Sequence, residues 1–221
     1  MIMFFLKNDT SAIKEETIRK TIFDKEGKAL LHINITYPAF TLRDRNRLKQ
    51  NAQPFYERSA KKFQHFAETE LLERAKKMAE QEVFRPLGAV MKFNRALENK
   101  SILSIYTDIS VFDGKEQNQM RSSQVWNKSK GFIYSFSDVF MSGAKEYMLS
   151  RFHSEGYSSN LSPDEYKKRL KRFFADTNFY LTEKSVAFFY PSERIGGKHG
   201  VKVFYIGLNE LMNENLLKMS L

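Results

Sequence analysis

NAQPFYERSAKKFQHFAETELLERAKKMAEQEVF, residues 51–84, is the stretch that decides the fold. Its apolar positions are Phe55, Tyr56, Ala60, Phe63, Phe66, Ala67, Leu71, Ala75, Met78 and Ala79. Gaps of three and four residues put these side chains on one stripe of a helix and match no strand. With Asn51 as the N-cap, Pro54 falls in the first turn, where no intrahelical N–H bond is owed. At 1.5 Å per residue the run is about 50 Å long, enough to cross a small domain. A rod of that length needs a broad apolar partner, and the flanking segments read as the strands that supply it.

Working outward toward the N-terminus, residues 17–23 and 29–37 read as a hairpin joined through Asp24-Lys25-Glu26-Gly27. Its second arm alternates, with Leu31, Ile33, Ile35 and Tyr37 on one face and His32, Asn34 and Thr36 on the other. Pro38 closes that arm, and the basic stretch 43–50 leads into the helix as a loop or short turn. Toward the C-terminus, Arg85-Pro86-Leu87-Gly88 ends the helix, and residues 89–97 read as a strand. Residues 101–112 alternate most cleanly: Leu103, Ile105, Ile109 and Val111 face one way, Ser104, Tyr106, Asp108 and Ser110 the other. Asp113-Gly114 gives a type I′ turn signal, and residues 121–127 return beside that strand. Lys130-Gly131 then turns the chain into 132–136. Residues 140–153 suit a second helix, a polar loop follows at 155–160, and Ser162-Pro163-Asp164-Glu165 opens a third. Strands at 185–190 and 201–206 flank a loop at 191–200, and 209–219 resembles a short helix. No βαβ rhythm is evident, and no linker separates two cores. The pattern predicts one α+β domain over 1–221, an antiparallel sheet with a long helix and two or three shorter helices packed on it.

The 221 residues include twenty phenylalanines and ten tyrosines, enough for an aromatic-rich core. There is no cysteine, which excludes disulfides, thiolate metal sites and cysteine nucleophiles together. The apolar start Met1-Ile2-Met3-Phe4-Phe5-Leu6 is too short for a signal peptide, and no window reaches the length of a membrane span. The expected place is the cytoplasm, with an extracytoplasmic one as the alternative if an anchor precedes this sequence. The net charge of +10 favours acidic partners, an acidic protein or a polyanion.

Few residues invite chemistry. His65 and Glu68 share a helix face without a second histidine at metal-ligand spacing. His32 falls on the polar face of a strand, and His153 at a helix end where positive charge is favourable. Gly196-Gly197-Lys198-His199-Gly200 lacks the spacing of a phosphate-binding loop and reads as a hairpin loop needing positive φ. Asp108 and Asp113 lie an odd number of residues apart, so their side chains diverge. No serine sits in a nucleophile elbow, and Trp126 reads as core. No cofactor or metal is expected. The clearest charged feature is Lys167, Lys168, Lys171 and Arg172, with Arg169 nearby, on the side of a helix opposite Tyr166, Leu170 and Phe173. It reads either as a solvated face or as a contact surface for phosphates or an acidic protein.

Several segments, in order, resemble the RsiV-like domain. They are Ile35-Thr36-Tyr37-Pro38 before an asparagine-containing helix start, and Leu103-Ser104-Ile105 leading to a glycine turn. Two more are Trp126-Asn127-Lys128-Ser129-Lys130-Gly131 with Ser137-Asp138-Val139-Phe140, and Asn178-Phe179-Tyr180-Leu181-Thr182-Glu183 with Phe188-Phe189-Tyr190-Pro191. That family is a bacterial α+β domain. It forms the extracytoplasmic lysozyme-binding part of RsiV-type anti-sigma factors and a non-catalytic module of PdaC-type peptidoglycan deacetylases. The resemblance implies a recognition domain without catalysis of its own. This chain departs from the family at Asp113-Gly114-Lys115-Glu116, where Gly-Gly-Ala-His is usual, and at Gly196-Gly197-Lys198-His199-Gly200, where Pro-Tyr-Ala-Ala-Gly is usual. Lysozyme is strongly basic, so a domain of charge +10 repels it, and lysozyme binding is not carried over. The expected function is a non-enzymatic binding or sensing module. The alternatives are a protein binding nucleic acid or an anionic glycopolymer, and a metal-dependent hydrolase. The ligand and oligomeric state are left open.

Overall fold

The computed structural model describes residues 13–81, 83–155 and 161–218. The opening six apolar residues and the greater part of the polar loop at 155–160 lie outside them. The chain begins with β1 (Ile13–Phe23) and β2 (Ala29–Phe40), antiparallel and joined by the predicted turn. There Asp24 Oδ1 accepts hydrogen bonds from the Glu26 and Lys28 amides, and Gly27 supplies the positive φ. Pro38 does not end β2. It stands within the strand opposite Glu15, beyond Ile35, where the pairing of β2 with its other neighbour stops.

The long helix is present and runs for 33 residues, as α1 (Arg47–Phe66), a π-helical turn (Ala67–Leu71) and α2 (Leu72–Ala79). Its start differs from the sequence expectation. Asn46, not Asn51, is the N-cap, and its side chain accepts from the Leu48 and Lys49 amides. Part of the stretch read as a loop is therefore helical, and Pro54 lies inside the helix, where it withholds a backbone donor. Asn51 instead ties the helix sideways, its Nδ2 donating to the Gly131 carbonyl at 2.8 Å. The buried stripe is Leu48, Ala52, Tyr56, Ala60, Phe63, Ala67, Leu71 and Ala75. Nearly all its steps are four residues, longer than the helical repeat of 3.6, so a regular helix would carry it off the sheet. The π turn absorbs an extra residue and returns Leu71 and Ala75 to the buried side.

The helix connects β2 to β3 (Leu87–Glu98), which run parallel in register from Leu31↔Leu87 to Ile35↔Met91. This unit is a βαβ crossover that the sequence reading does not anticipate. A rod that spans the sheet brings the chain back to the end it left, so the next strand repeats the direction of the last. Then follow β4 (Ile102–Phe112) and β5 (Gln117–Asn127), giving a mixed five-stranded sheet in the order β1-β2-β3-β4-β5. The turn between β4 and β5 spans four residues, not a two-residue type I′ connection, because only Gly114 has positive φ. Asp113 Oδ1 accepts from the Lys115 and Glu116 amides to close it.

A short α3 (Phe136–Val139), α4 (Ala144–Ser154) and α5 (Pro163–Arg172) come next. Segment 132–136 makes one bridge, Trp126↔Ile133, rather than a strand. A second sheet, β6-β7-β8, is built from β6 (Phe179–Leu181), β7 (Ser185–Pro191) and β8 (Val201–Gly207), with a 3-10 turn (Ser192–Ile195) between the last two. α6 (Leu208–Asn213) follows and is shorter than expected.

The α+β class is as expected, with two sheets in place of one. The even-numbered face of β4, the more polar of its two faces in sequence, is in part covered by the second sheet. Ser104 is completely buried, and its Oγ accepts the Leu181 amide at 2.9 Å. Tyr106 packs on Tyr180 with ring centroids 4.5 Å apart. The odd-numbered face carries Leu103 and Ile105 onto Leu48, Ala52 and Tyr56 of the helix. Phe179, Phe188 and Tyr190 of the second sheet meet Met148 and Phe152 of α4 and Tyr166 and Leu170 of α5. The layers therefore run helix, five-stranded sheet, three-stranded sheet, helices.

Candidate functional site: a basic face on α5

α5 forms where the sequence signals place it. Ser162 accepts from the Glu165 amide, Pro163 occupies the first helical position, Asp164 and Glu165 face the positive end of the dipole, and Arg169, Lys171 and Arg172 the negative end. Tyr166 and Leu170, four apart, are buried, and the Tyr190 hydroxyl donates to the Leu170 carbonyl at 3.3 Å. Anchoring that side turns Lys167, Lys168, Lys171 and Arg172 outward, and all four are exposed. They occupy one arc as two columns, 167 over 171 and 168 over 172, and the two charges of each column stand about 6 Å apart along the axis.

Arg169 is the exception in this group. Its Nε donates to Glu165 Oε1 at 2.8 Å across one turn, and that bond holds the Glu165 carboxyl below its usual range.

The β7–β8 loop completes the face. Gly196 and Gly200 take positive φ as expected, Ile195 is buried, and the Gly197 amide donates to the Ser192 carbonyl at 2.8 Å. This geometry brings Arg194 to Phe173. The Arg194 and Arg172 guanidinium carbons lie 5.4 and 5.3 Å from the centroid of that one ring. Neither makes an ion pair among the described residues, whereas Arg95, Arg121, Arg151 and Arg169 each have a carboxylate partner. A cavity of about 310 Å³ opens here, lined by Glu165, Arg169, Arg172, Phe173, Glu193 and Arg194. Arg194 is not singled out by the sequence, because it lies 22 residues beyond Arg172 on another element.

The histidines do not converge. His32 Nδ1 meets Thr21 Oγ1 at 3.1 Å, and His153 stacks on Tyr166. Glu68, which shares a helix face with His65, takes Lys20 at 2.8 Å. His199 stands between Glu193 at 3.2 Å and Glu116 at 3.3 Å, on opposite nitrogens of the ring. Among the described residues no group of three or more histidine or carboxylate side chains is arranged to hold a metal ion. Asp108 and Asp113 diverge as expected. Asp108 takes Arg121 in a two-pronged pair at 2.6 and 2.9 Å.

Arg121 is a residue the sequence does not flag. It stacks on Tyr106 and donates to the Tyr180 hydroxyl, linking the two sheets. Burial pushes the Tyr180 phenol well up, and the neighbouring Tyr205 hydroxyl adds to it. Trp126 is core, with its indole N–H donating to the buried Tyr56 hydroxyl at 2.9 Å. No helix of the described residues is long and apolar enough to cross a membrane.

An α-helical rod over a mixed sheet, backed by a small antiparallel sheet, is also the fold of two bacterial crystal structures. One is a DUF3298 family protein from Pseudomonas aeruginosa PAO1 (TM-score 0.61, 12% identity), covering 94% of this chain and 95% of that one. The other is a member of the same family from Bacteroides fragilis NCTC 9343 (TM-score 0.57, 16% identity), covering 95% of both chains. DUF3298 is the RsiV-like domain family, so the resemblance read from the sequence holds at the level of fold. No family's sequence pattern matches the chain, and no curated protein matches it by sequence.

Proposed function

We propose that this chain is a non-enzymatic binding module that recognises a polyanion through the exposed face of α5. The observation that carries the reading is the arc of Lys167, Lys168, Lys171 and Arg172, extended by Arg194 from a second element. Two columns of cations, the members of each about 6 Å apart on one helix face, suit a polymer that brings several negative charges to a single surface. The buried Tyr166 and Leu170 hold that helix in place, so on the protein side the ordering cost is confined to the lysine and arginine side chains. The fold shared with DUF3298 proteins is compatible with a recognition role, and lysozyme is not the partner, since like charge opposes encounter.

Two measurements test this. Titration with heparin, used as a model linear polyanion, gives saturable binding that Lys168→Glu with Lys171→Glu weakens by at least about tenfold, several phosphate-type contacts being lost or reversed. Unchanged affinity in that variant removes the reading. Assays on acetylated glycans, esters and peptides give no turnover with or without divalent metal. Metal-dependent turnover abolished by His65→Ala or His199→Ala establishes a hydrolase instead.

A further inference from the structure

Within that face the structure assigns a discrete subsite. We propose that Arg172, Phe173 and Arg194 bind one phosphate group carried on a sugar, as a repeating unit of the polyanion. The inference rests on the proposed polyanion reading and adds what the polymer is made of. Arg172 and Arg194 come from different elements, converge on one aromatic ring and make no ion pair among the described residues. Contact with the ring restrains two otherwise long, mobile side chains and leaves their N–H edges free to donate. One arginine fork saturates a carboxylate, while a phosphate has oxygens enough for two, so a paired guanidinium site favours phosphate.

The open groove beside them, about 310 Å³, leaves room for more than a bare phosphate. Its remaining polar wall is Glu165, Arg169 and Glu193, and the two carboxylates are acceptors for hydroxyl groups. Glu165 is offset by Arg169 at 2.8 Å, and Glu193 lies 3.2 Å from His199, so each carboxylate has a partner already. A hydroxyl-bearing body matches that wall. A flat nucleobase does not, because the one aromatic ring in the lining already carries guanidinium groups against it.

Calorimetric titration of the whole chain with a hexose 6-phosphate, inorganic phosphate, the neutral hexose, a nucleoside 5′-monophosphate and heparin tests this. The hexose phosphate is expected to bind one to one and more tightly than any of the other three small ligands. Arg194→Gln is expected to weaken it by at least about tenfold, the scale of losing charge-assisted hydrogen bonds. Replacing Lys167, Lys168 and Lys171 together by Gln is expected to weaken heparin binding and leave the hexose phosphate within about threefold of the unaltered protein. A melting curve on Arg194→Gln confirms that the variant is folded. Hexose phosphate binding that is absent, or that Arg194→Gln leaves unchanged, overturns the subsite even where heparin binding persists, and a preference for the nucleotide overturns the sugar assignment. Heparin binding insensitive to the lysine changes overturns the broader reading instead.

Discussion

Replacing Tyr56 by phenylalanine isolates a single contact between the long helix and the five-stranded sheet. The Tyr56 ring is buried on the helix, Trp126 is buried on β5, and the indole N–H has the Tyr56 hydroxyl as its partner at 2.9 Å. The same hydroxyl donates to Gln124 Oε1 at 3.1 Å. The substitution keeps the ring and its packing, so the loss is confined to hydrogen bonding. Gln124 is only half-buried, and water replaces its lost partner. Trp126 has no such recourse, and a buried unsatisfied N–H costs about 1–3 kcal/mol. For a chain above 200 residues this lowers the melting temperature by roughly 2–12 °C. Trp126 is the sole tryptophan, so its emission follows the helix–sheet contact directly. In a double-mutant cycle with Trp126→Phe, the pair of changes together is expected to cost about 1–2 kcal/mol less than their sum. A Tyr56→Phe protein within about 0.5 kcal/mol of wild type, with no coupling in the cycle, refutes the claim that this bond fastens the rod to the sheet.

Three further changes probe other parts. Gly131→Ala forces a side chain into a position with φ of +70° and drives its Cβ into the Arg47 carbonyl, so a loss of about 2 kcal/mol or more in urea unfolding is expected. Asp108→Asn leaves the half-buried Arg121 guanidinium without its counter-charge between the sheets. The expected cost is about 1–3 kcal/mol, reduced from a deeply buried case because Asp108 keeps 38% of its side-chain exposure. Acid sensitivity follows from the carboxylates. Hydrogen bonds from the Ser135 hydroxyl and amide hold Asp138 below its ordinary value of 3.8, and the Glu116 and Lys115 amides do the same for Asp113. A depressed folded-state value means that the unfolded chain takes up protons first. This stability is therefore present at neutral pH and is lost as pH falls below the ordinary value and through the folded one. In melting curves recorded against pH, Asp138→Asn is expected to be destabilised most at neutral pH and to converge on wild type in acid, and a constant offset contradicts this.

What can be read in the sequence is whatever depends on near neighbours along the chain. The apolar stripe of the rod, the alternation of β4 and the Ser162-Pro163 start of α5 all rest on spacings of two to four residues. Asn46 escapes notice as the cap because basic residues surround it and the first anchor, Leu48, stands alone. Ser104 falls on the more polar face of its strand, and nothing local reveals that a second sheet lies over it. The first strand of that sheet, Phe179–Leu181, has three residues, too few to establish a period. The parallel pairing of β2 with β3 depends on where the rod returns the chain, which its composition does not encode. The candidate face divides in the same way. Lys167, Lys168, Lys171 and Arg172 are visible as a helical arc, and Arg194 is not, because a buried Ile195 and two positive-φ glycines far along the chain bring it to Phe173.

The central claim is that α5 presents a charged surface built for a polyanion. The salt dependence of binding tests it most directly, through the affinity for a linear polyanion measured between about 50 and 200 mM salt. Five engaged cations at roughly 0.7 released counterions each give a slope of log K against log salt near −3.5, and neutralising Lys168 and Lys171 brings it close to −2. A slope near zero, or one that these two changes leave where it was, contradicts the account.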